Sequence, residues 1–432
     1  MPLGIKVRHG DIMLDIKFLR DNLATIRQRI QRKGFTNDHL EALLAADERV
    51  RSLKTDTERL RAEQNNKSKL FGEYKKAGKD VGPLNQELAA LKAQSQEAGE
   101  RLAAEEAALQ TMLDLVPNLV HESVPAGKDP SDNKIVKTWG EPAKISGAKP
   151  HWDIGPRHGM WLERGAAMSG AGFPLLVGPV ARLERALIQF FLDTHTTKNG
   201  YTEVNPPFAV RRDALYGTGY LPKLEGEQYH AERDGLYLVP TAEVPLTAIH
   251  AGEILQESEL PRKYCAYTPC FRREAGAAGA DTRGMIRVHQ FSKVEIMQLA
   301  HPSKSYEAHE SLTRNAEELL EALEMPYRRL LLCTEDQGFS AAKCYDLEIY
   351  SAGVDRWLEI SSCSNFEAFQ ARRSRIRYKD SVTGKNEFCH TLNGSGLALP
   401  RLLIALVENG QQPDGSVRLP KVIHKYYGKE TL

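Results

Sequence analysis

From residue 16 onward the apolar positions keep a helical rhythm. Ile16, Leu19, Leu23, Ile26 and Ile30 recur at spacings of 3, 4, 3 and 4, which predicts one amphipathic helix closed near Gly34. Two longer tracts follow. The first runs Leu43, Ala46, Val50, Leu53, Thr57, Leu60, Gln64, Lys67, Phe71, Tyr74; the second runs Val81, Leu84, Leu88, Leu91, Ser95, Ala98, Leu102, Glu105, Leu109, Met112, Val116. Both keep a strict 3-4 alternation, the seam of a coiled coil. Residues 77–83 between them are dense in chain-turning residues, so the two helices fold back as one antiparallel hairpin. Limbs of about 35 residues at 1.5 Å each make an arm of roughly 50 Å. Residues 1–12 lie outside the rhythm and precede a second methionine, Met13. They read as an N-terminal extension, either a disordered tail or a late-start artefact.

Past the arm the pattern changes. Residues 117–180 are rich in Pro, Gly and Trp, which suggests a linker and the edge of a new domain. Beyond about 180, helical segments and β-branched strands follow one another without the regular alternation of a parallel sheet. The expected class is α+β. The expected division is an extension at 1–12, a helical arm at 13–116 and a second domain at 117–432.

Charge bears on the arm. Over the whole chain, 58 Lys and Arg nearly cancel 57 Asp and Glu, so net charge announces no nucleic-acid partner. The arm is polarised: residues 49–79 carry ten basic against four acidic side chains, and 80–114 carry two against seven. Complementary pairing between the two helices accounts for this, and so does a basic strip that tracks a phosphate backbone. Apolar content of 41% and charged content of 27% describe a soluble globular chain. No apolar run reaches the ~18 residues of a membrane span, and no secretory signal precedes the arm. A cytoplasmic location is expected. The six cysteines show no paired spacing, so they read as buried reduced thiols and no zinc is expected.

Three clusters carry candidate chemistry; neither a P-loop nor a GxGxxG turn occurs. Residues 268–297 read as strand, Gly/Ala-rich loop of about a dozen residues, strand. Arg272 and Glu274 share one face of the first strand. Arg287, His289, Phe291, Lys293 and Glu295 share one face of the second, with Ile286, Val288, Val294 and Ile296 on the other. Arginine, glutamate and an aromatic ring on one face suit a nucleotide: a cation for phosphate, an acceptor for the adenine amine, a ring for stacking. The second cluster is Glu359-Ile360-Ser361-Ser362, a carboxylate with nearby hydroxyls able to hold Mg²⁺ through few protein oxygens. The third, residues 391–401, contains Gly394-Ser395-Gly396 and then Pro400-Arg401 before the apolar run 402–407. Pro400 suits a first helical turn. Arg401 would stand at that helix start, where it gains nothing from the dipole, so an anionic ligand is the economical reason for it.

These clusters resemble the signature motifs of class II aminoacyl-tRNA synthetases. Residues 180–207 look like motif 1, FRREAG…RVHQF within 268–297 like motif 2, and GSGLALPR within 391–408 like motif 3. Within the class, Thr241-Ala242-Glu243 followed by VPL, the SSCSN segment and the N-terminal arm are similar to the seryl-tRNA synthetase family. One departure is Pro400, where many relatives carry glycine, and helix geometry accommodates it. The resemblance implies an antiparallel sheet flanked by helices, a homodimer through motif 1, and activation of L-serine with ATP followed by transfer to the 3′ end of tRNA(Ser), bound by the arm. It implies that Arg272 holds the α-phosphate and the serine carboxylate, Glu274 the adenine amine, Phe291 the base by stacking, and Arg401 the γ-phosphate. Arg273, Arg287, Ile360 and Ser361 join the implied ATP site. Glu359 and Ser362 would bind Mg²⁺, and Thr241, Ala242, Glu243, Glu295 and Ser395 would surround serine. Arg272, Arg401 and Glu359 are the implied catalytic groups. Because Glu359 and Ser362 are three apart, a regular strand would put them on opposite faces, and a bulge or strand end is required.

Rival readings are an inactive paralogue serving as an RNA-binding protein and a ligase that loads an amino acid onto a carrier protein. The first is expected to lose Arg272, Glu295, Glu359 or Arg401, all of which are present; the second type lacks a long arm.

Overall fold

The computed structural model describes residues 16–142, 144–275 and 283–432. The reading of residues 1–12 as an extension, and the middle of the Gly/Ala-rich loop, lie outside the described residues. Two compact units divide at Pro117 and Asn118.

The first unit is helical: α1 (Ile16–Asp21), α2 (Leu23–Gln31), α3 (Asn37–Lys76) and α4 (Gly82–Asp114). The single helix expected before Gly34 is interrupted at Asn22, whose Nδ2 bonds the Phe18 carbonyl at 3.0 Å and competes with the backbone ladder. The interruption costs one residue, so Leu19, Ile26 and Ile30 remain buried. Along α3 and α4 every expected seam position, from Leu43 to Tyr74 and from Val81 to Val116, is buried or half-buried. Of the polar seam residues, Thr57 is satisfied locally, its hydroxyl donating to the Leu53 carbonyl at 2.8 Å. With 40 and 33 residues, the limbs extend about 60 and 50 Å. Arg49–Glu105 at 3.1 Å and Lys67–Glu87 at 2.5 Å bridge the helices, so part of the charge polarity is pairing. Lys54, Arg61, Lys69, Lys75 and Lys76 are exposed and make no ion pair among the described residues.

The second unit is built on an eight-stranded sheet: β1 (Lys134–Trp139), β2 (Thr202–Glu203), β3 (Arg262–Phe271), β4 (Gln290–Ala300), β5 (Tyr327–Leu331), β6 (Lys343–Ser351), β7 (Arg356–Asn365) and β8 (His390–Ala398). Its order is β1-β5-β6-β7-β8-β4-β3-β2. All neighbours are antiparallel except β2 and β3. Helices α5 (Pro179–Thr197), α6 (Glu243–Ala248), α7 (Ser305–Ala322), α8 (Phe369–Ser374) and α9 (Leu399–Gly410) accompany it. Val294, Ile296, Leu347, Ile349 and Leu392 point to one core with Leu183 and Leu187 of α5, Leu312 and Leu319 of α7, and Leu403 and Leu406 of α9. The opposite sheet face is polar around Lys293 and Glu295, while Ala266, Met297 and Leu299 on it join a smaller core cluster. Residues 117–180, expected as a linker and the edge of the second domain, carry β1 and two short helices packed on this unit, and His151 is wholly buried against Glu408. Their Pro and Gly residues punctuate short elements. No helix among the described residues is long and apolar enough to cross a membrane.

Candidate active site

A cavity of about 690 Å³ opens on the polar face of the sheet. On β4, strand alternation aims Phe291, Lys293 and Glu295 into it while Val294 and Ile296 enter the core, as the pattern requires. Arg272 and Glu274 also line it, but not from a strand. β3 ends at Phe271, Glu274 at φ 49° leaves extended geometry, and β4 begins only at Gln290, so neither 272–275 nor 283–289 belongs to a strand as expected. Arg287 and His289 likewise precede β4. Arg287 reaches the cavity and pairs with Glu274 at 3.1 Å. His289 instead braces the loop through the Arg272 carbonyl at 2.8 Å. Ile286 and Val288, expected to be core only, touch both core and cavity. The Arg272 guanidinium lies 5.2 Å from the centre of the Phe291 ring.

The difficulty at Glu359 and Ser362 is resolved by a bulge. Glu359 is opposite Glu348 and Ser361 is opposite Leu347, so Ile360 is the extra residue. One inserted position flips the alternation, and Glu359, Ile360 and Ser362 all line the cavity. Arg401 stands in the first turn of α9 after Pro400. Its Nη1 donates to Glu359 Oε2 at 3.3 Å and to the Glu359 carbonyl at 2.8 Å, and its Nε donates to the Ile286 carbonyl at 3.2 Å.

At the deep end, Glu243, Glu295 and Ser395 line the wall. Glu295 pairs with Lys293 at 2.6 Å and accepts from the Thr241 hydroxyl at 3.3 Å. Burial, and then the charge of Glu295, push the Glu243 carboxyl up to about 7. Four sequence candidates are near the cavity without forming its wall. Thr241 acts through Glu295; Ala242 is packed into a second core cluster. The Ser361 hydroxyl donates to the Ser395 carbonyl at 2.6 Å, and Arg273 lies over Tyr229 with its Nε on the Gln228 carbonyl at 3.0 Å.

Sequence reasoning missed Tyr220, Asp346 and Asn393, which also line the cavity. Asp346 is opposite Ser362, and burial followed by Glu359 raises its carboxyl well above the ordinary range. Its signal was the alternation Cys344, Asp346, Glu348 against Tyr345, Leu347, Ile349. Asn393 precedes Ser395 by two on β8, and its buried side-chain amide stands beside Glu243, whose proton affinity it lowers. Tyr220 left no such trace: its hydroxyl reaches Glu243 at 3.2 Å from a distant loop.

Chemically, the wall combines guanidinium groups, an aromatic ring, a bulge-aligned carboxylate and hydroxyl, and a pair of buried carboxylates. Comparison with known proteins finds matches for both units. Residues 13–120 match the model of the seryl-tRNA synthetase N-terminal domain, and residues 224–410 match the tRNA synthetase class II core domain (G, H, P, S and T). A serine–tRNA ligase of Methylacidiphilum infernorum is 49% identical over 97% of this chain and all of its own length. One from Thermotoga petrophila is 48% identical over 97% of this chain and all of its own. Among solved structures, the seryl-tRNA synthetase of Pyrococcus horikoshii complexed with ATP superposes with a TM-score of 0.88 at 36% identity, covering 97% of this chain and 99% of that one. The cytoplasmic serine–tRNA ligase of Naegleria fowleri in complex with AMP gives 0.83 at 29% identity, covering 97% and 98%.

Proposed function

The chain belongs to the seryl-tRNA synthetase family and ligates serine to tRNA at the expense of ATP; from this premise we propose how its residues divide that work. Activation joins a carboxylate to the α-phosphate by in-line displacement of pyrophosphate and needs no protein nucleophile. It needs two anions held together and the charge developing on phosphate neutralised. Arg272 holds the serine carboxylate and the α-phosphate, and Phe291 stacks on adenine while Glu274 accepts from its amine. Arg401 grips the γ-phosphate and Arg287 supports the phosphate chain. Glu243 takes the serine ammonium, and Glu295 with Ser395 takes the hydroxyl. Thr241 orients Glu295.

Glu359 and Ser362 suit Mg²⁺, because the bulge puts a carboxylate and a hydroxyl on one wall and leaves most sites to water and phosphate. The ion neutralises phosphate charge when bound. Lys54, Arg61, Lys69, Lys75 and Lys76 on the arm contact the tRNA backbone. Two copies pair through residues 180–207.

The observation that carries this reading is a pair of buried carboxylates, Glu243 and Glu295, lining the same cavity as Arg272. ATP–pyrophosphate exchange across the twenty amino acids tests it: exchange with serine alone is expected, and preference for another amino acid overturns it.

A further inference from the structure

We propose that Gln370, a residue outside the cavity wall, is the positioning residue that orients Glu243 toward the amino group of serine and keeps it in its charge-accepting form. The inference rests on the reading of Glu243 as the ammonium site.

Gln370 lies on α8 and is 1% exposed. Its Nε2 donates to Glu243 Oε1 at 2.6 Å and to the Thr218 carbonyl at 3.2 Å. The Thr391 hydroxyl donates to its Oε1 at 2.7 Å. The Thr218 carbonyl can only accept, so the amide nitrogen must face it, and the same nitrogen therefore faces Glu243. Thr391 completes the arrangement by supplying the proton that the amide oxygen requires. Thr391 is wholly buried beneath this relay, which removes it as an alternative contact for the substrate hydroxyl.

Glu243 needs such a partner. It sits beside a second carboxylate, Glu295 on β4, with Tyr220 donating from the other side at 3.2 Å. Lys293 on β4 lowers its proton affinity, but Lys293 is spent on Glu295 at 2.6 Å. Arg272 makes no ion pair with Glu243 among the described residues, and its Nε donates to the Pro240 carbonyl at 3.3 Å. Left to burial and Glu295, the carboxyl would hold its proton at neutral pH, and a neutral acid cannot pair with an ammonium. Gln370 is the strongest hydrogen-bonded influence in the opposite direction. It also restricts the approach: with Oε1 held by Gln370 and Oε2 by Tyr220, the substrate amine meets the remaining lone pairs in one geometry.

The test is the pH dependence of kcat/KM for serine, read by pyrophosphate exchange. In the wild type its acidic limb should lie near 7, where Glu243 ionises. Gln370→Glu keeps size and the acceptor for Thr391 but turns a carboxylate toward Glu243. It should move the limb up by about one unit or more and raise the serine KM at pH 7 about 10- to 100-fold. The ATP KM should stay within about twofold, since Gln370 touches no ATP residue. Thr391→Val is the second variant, for the case in which the first folds poorly. It withdraws the proton that fixes the amide and should shift the same limb in the same direction by less. A merely structural role would lower stability or kcat and leave the limb in place, and an unmoved limb in folded Gln370→Glu and Thr391→Val overturns the proposal. Glu243→Gln separates the premise: an unchanged serine KM there removes the ammonium site itself, whatever Gln370 does.

Discussion

Alanine differs from serine by the hydroxyl alone, so a pocket that accepts serine cannot exclude alanine by size. Rejection must come from a buried group left without its partner, and sites of that kind reach roughly 10⁴–10⁵ in discrimination. Glu295 is the group. It is 2% exposed, and a carboxylate offers about four acceptor positions. Lys293 and Thr241 occupy two, and the others face the cavity. Glu295→Ala would leave Lys293, itself 6% exposed, as a buried unpaired cation at about 3–5 kcal/mol, which confuses stability with selectivity. Glu295→Gln is the cleaner perturbation, because it keeps volume and one acceptor.

A hydrogen bond to a charged group contributes about 1.5–3 kcal/mol, so kcat/KM for serine in Glu295→Gln should fall roughly 10- to 150-fold. The value for alanine should move by less than about threefold, because alanine never made the contact and no longer strands a charge. The ATP KM should be nearly unchanged. A second signature follows from the neighbour: without the Glu295 charge, Glu243 ionises more easily, and the acidic limb for serine should shift below its wild-type position near 7. Pyrophosphate exchange with each amino acid over pH 5.5–8.5 measures both. A serine-to-alanine ratio equal to that of the wild type would refute the assignment and move the hydroxyl contact to Ser395.

Three further outcomes are expected. The bridges Arg49–Glu105 and Lys67–Glu87 keep one register, which sets Thr57 across from Glu97. Removing residues 58–96 with a short turn in their place should spare serine-dependent exchange and abolish tRNA charging; loss of exchange in the folded protein would show that the arm does more than place tRNA. Neutralising Lys69, Lys75 and Lys76 should weaken tRNA binding and flatten its dependence on log salt by about one for each lost phosphate contact, measured by filter binding. Burial holds His195, His309 and His390 down to about 4. Their unfolded forms bind protons from about 6.5 downward, so their stabilising effect is complete above 6.5 and lost as pH falls toward 4. Glu243, between about 4.5 and 7, and Asp346 work in the opposite sense. Three groups outweigh two, and the urea midpoint should drop from pH 6.5 to 4; a flat midpoint would contradict the burial of these rings.

The arm was legible because a 3.5-residue period leaves the same trace at every turn, from Leu43 to Val116. The strand faces around Glu295 were legible for the matching reason, a period of two. Adjacency in sequence was the weaker guide to the cavity wall. Arg273 and Ser361 were grouped with their neighbours in sequence, yet neighbours on extended chain point to opposite sides, and here they serve as braces. Ala242 was carried along with Thr241 and Glu243 and belongs to a core. The need for a bulge near Glu359 was readable; that Ile360 provides it depends on the pairing with β6. Gln370 and Tyr220 were invisible, because what makes them matter is Glu243, which tertiary folding brings to them from a distant part of the chain.

The charges of the cavity also explain why its ligands must carry both signs. Arg401 is held by Glu359, Arg287 by Glu274, and Lys293 by Glu295. The first two pairs are partly open to water, with side-chain exposures of 24% and 48%, and of 41% and 24%. Separating such pairs costs little, provided both partners find replacements. On the proposed assignment a nucleotide carrying its metal would offer phosphate to the arginine and a cation to the carboxylate together; phosphate alone would leave Glu359 beside added negative charge. Lys293–Glu295 differs, being 7% and 3% exposed. Opening it would strand a buried charge, so a ligand there must add to the pair rather than exchange with it, and a neutral hydroxyl does so. On the proposed assignment the amino acid meets the same rule at its other end, where its carboxylate needs Arg272 and its ammonium needs Glu243. A ligand lacking either charge leaves one of these two groups unsatisfied. The site thus selects a zwitterion first, by exchange and pairing of charge, and the hydroxyl second, by completing a pair that never opens.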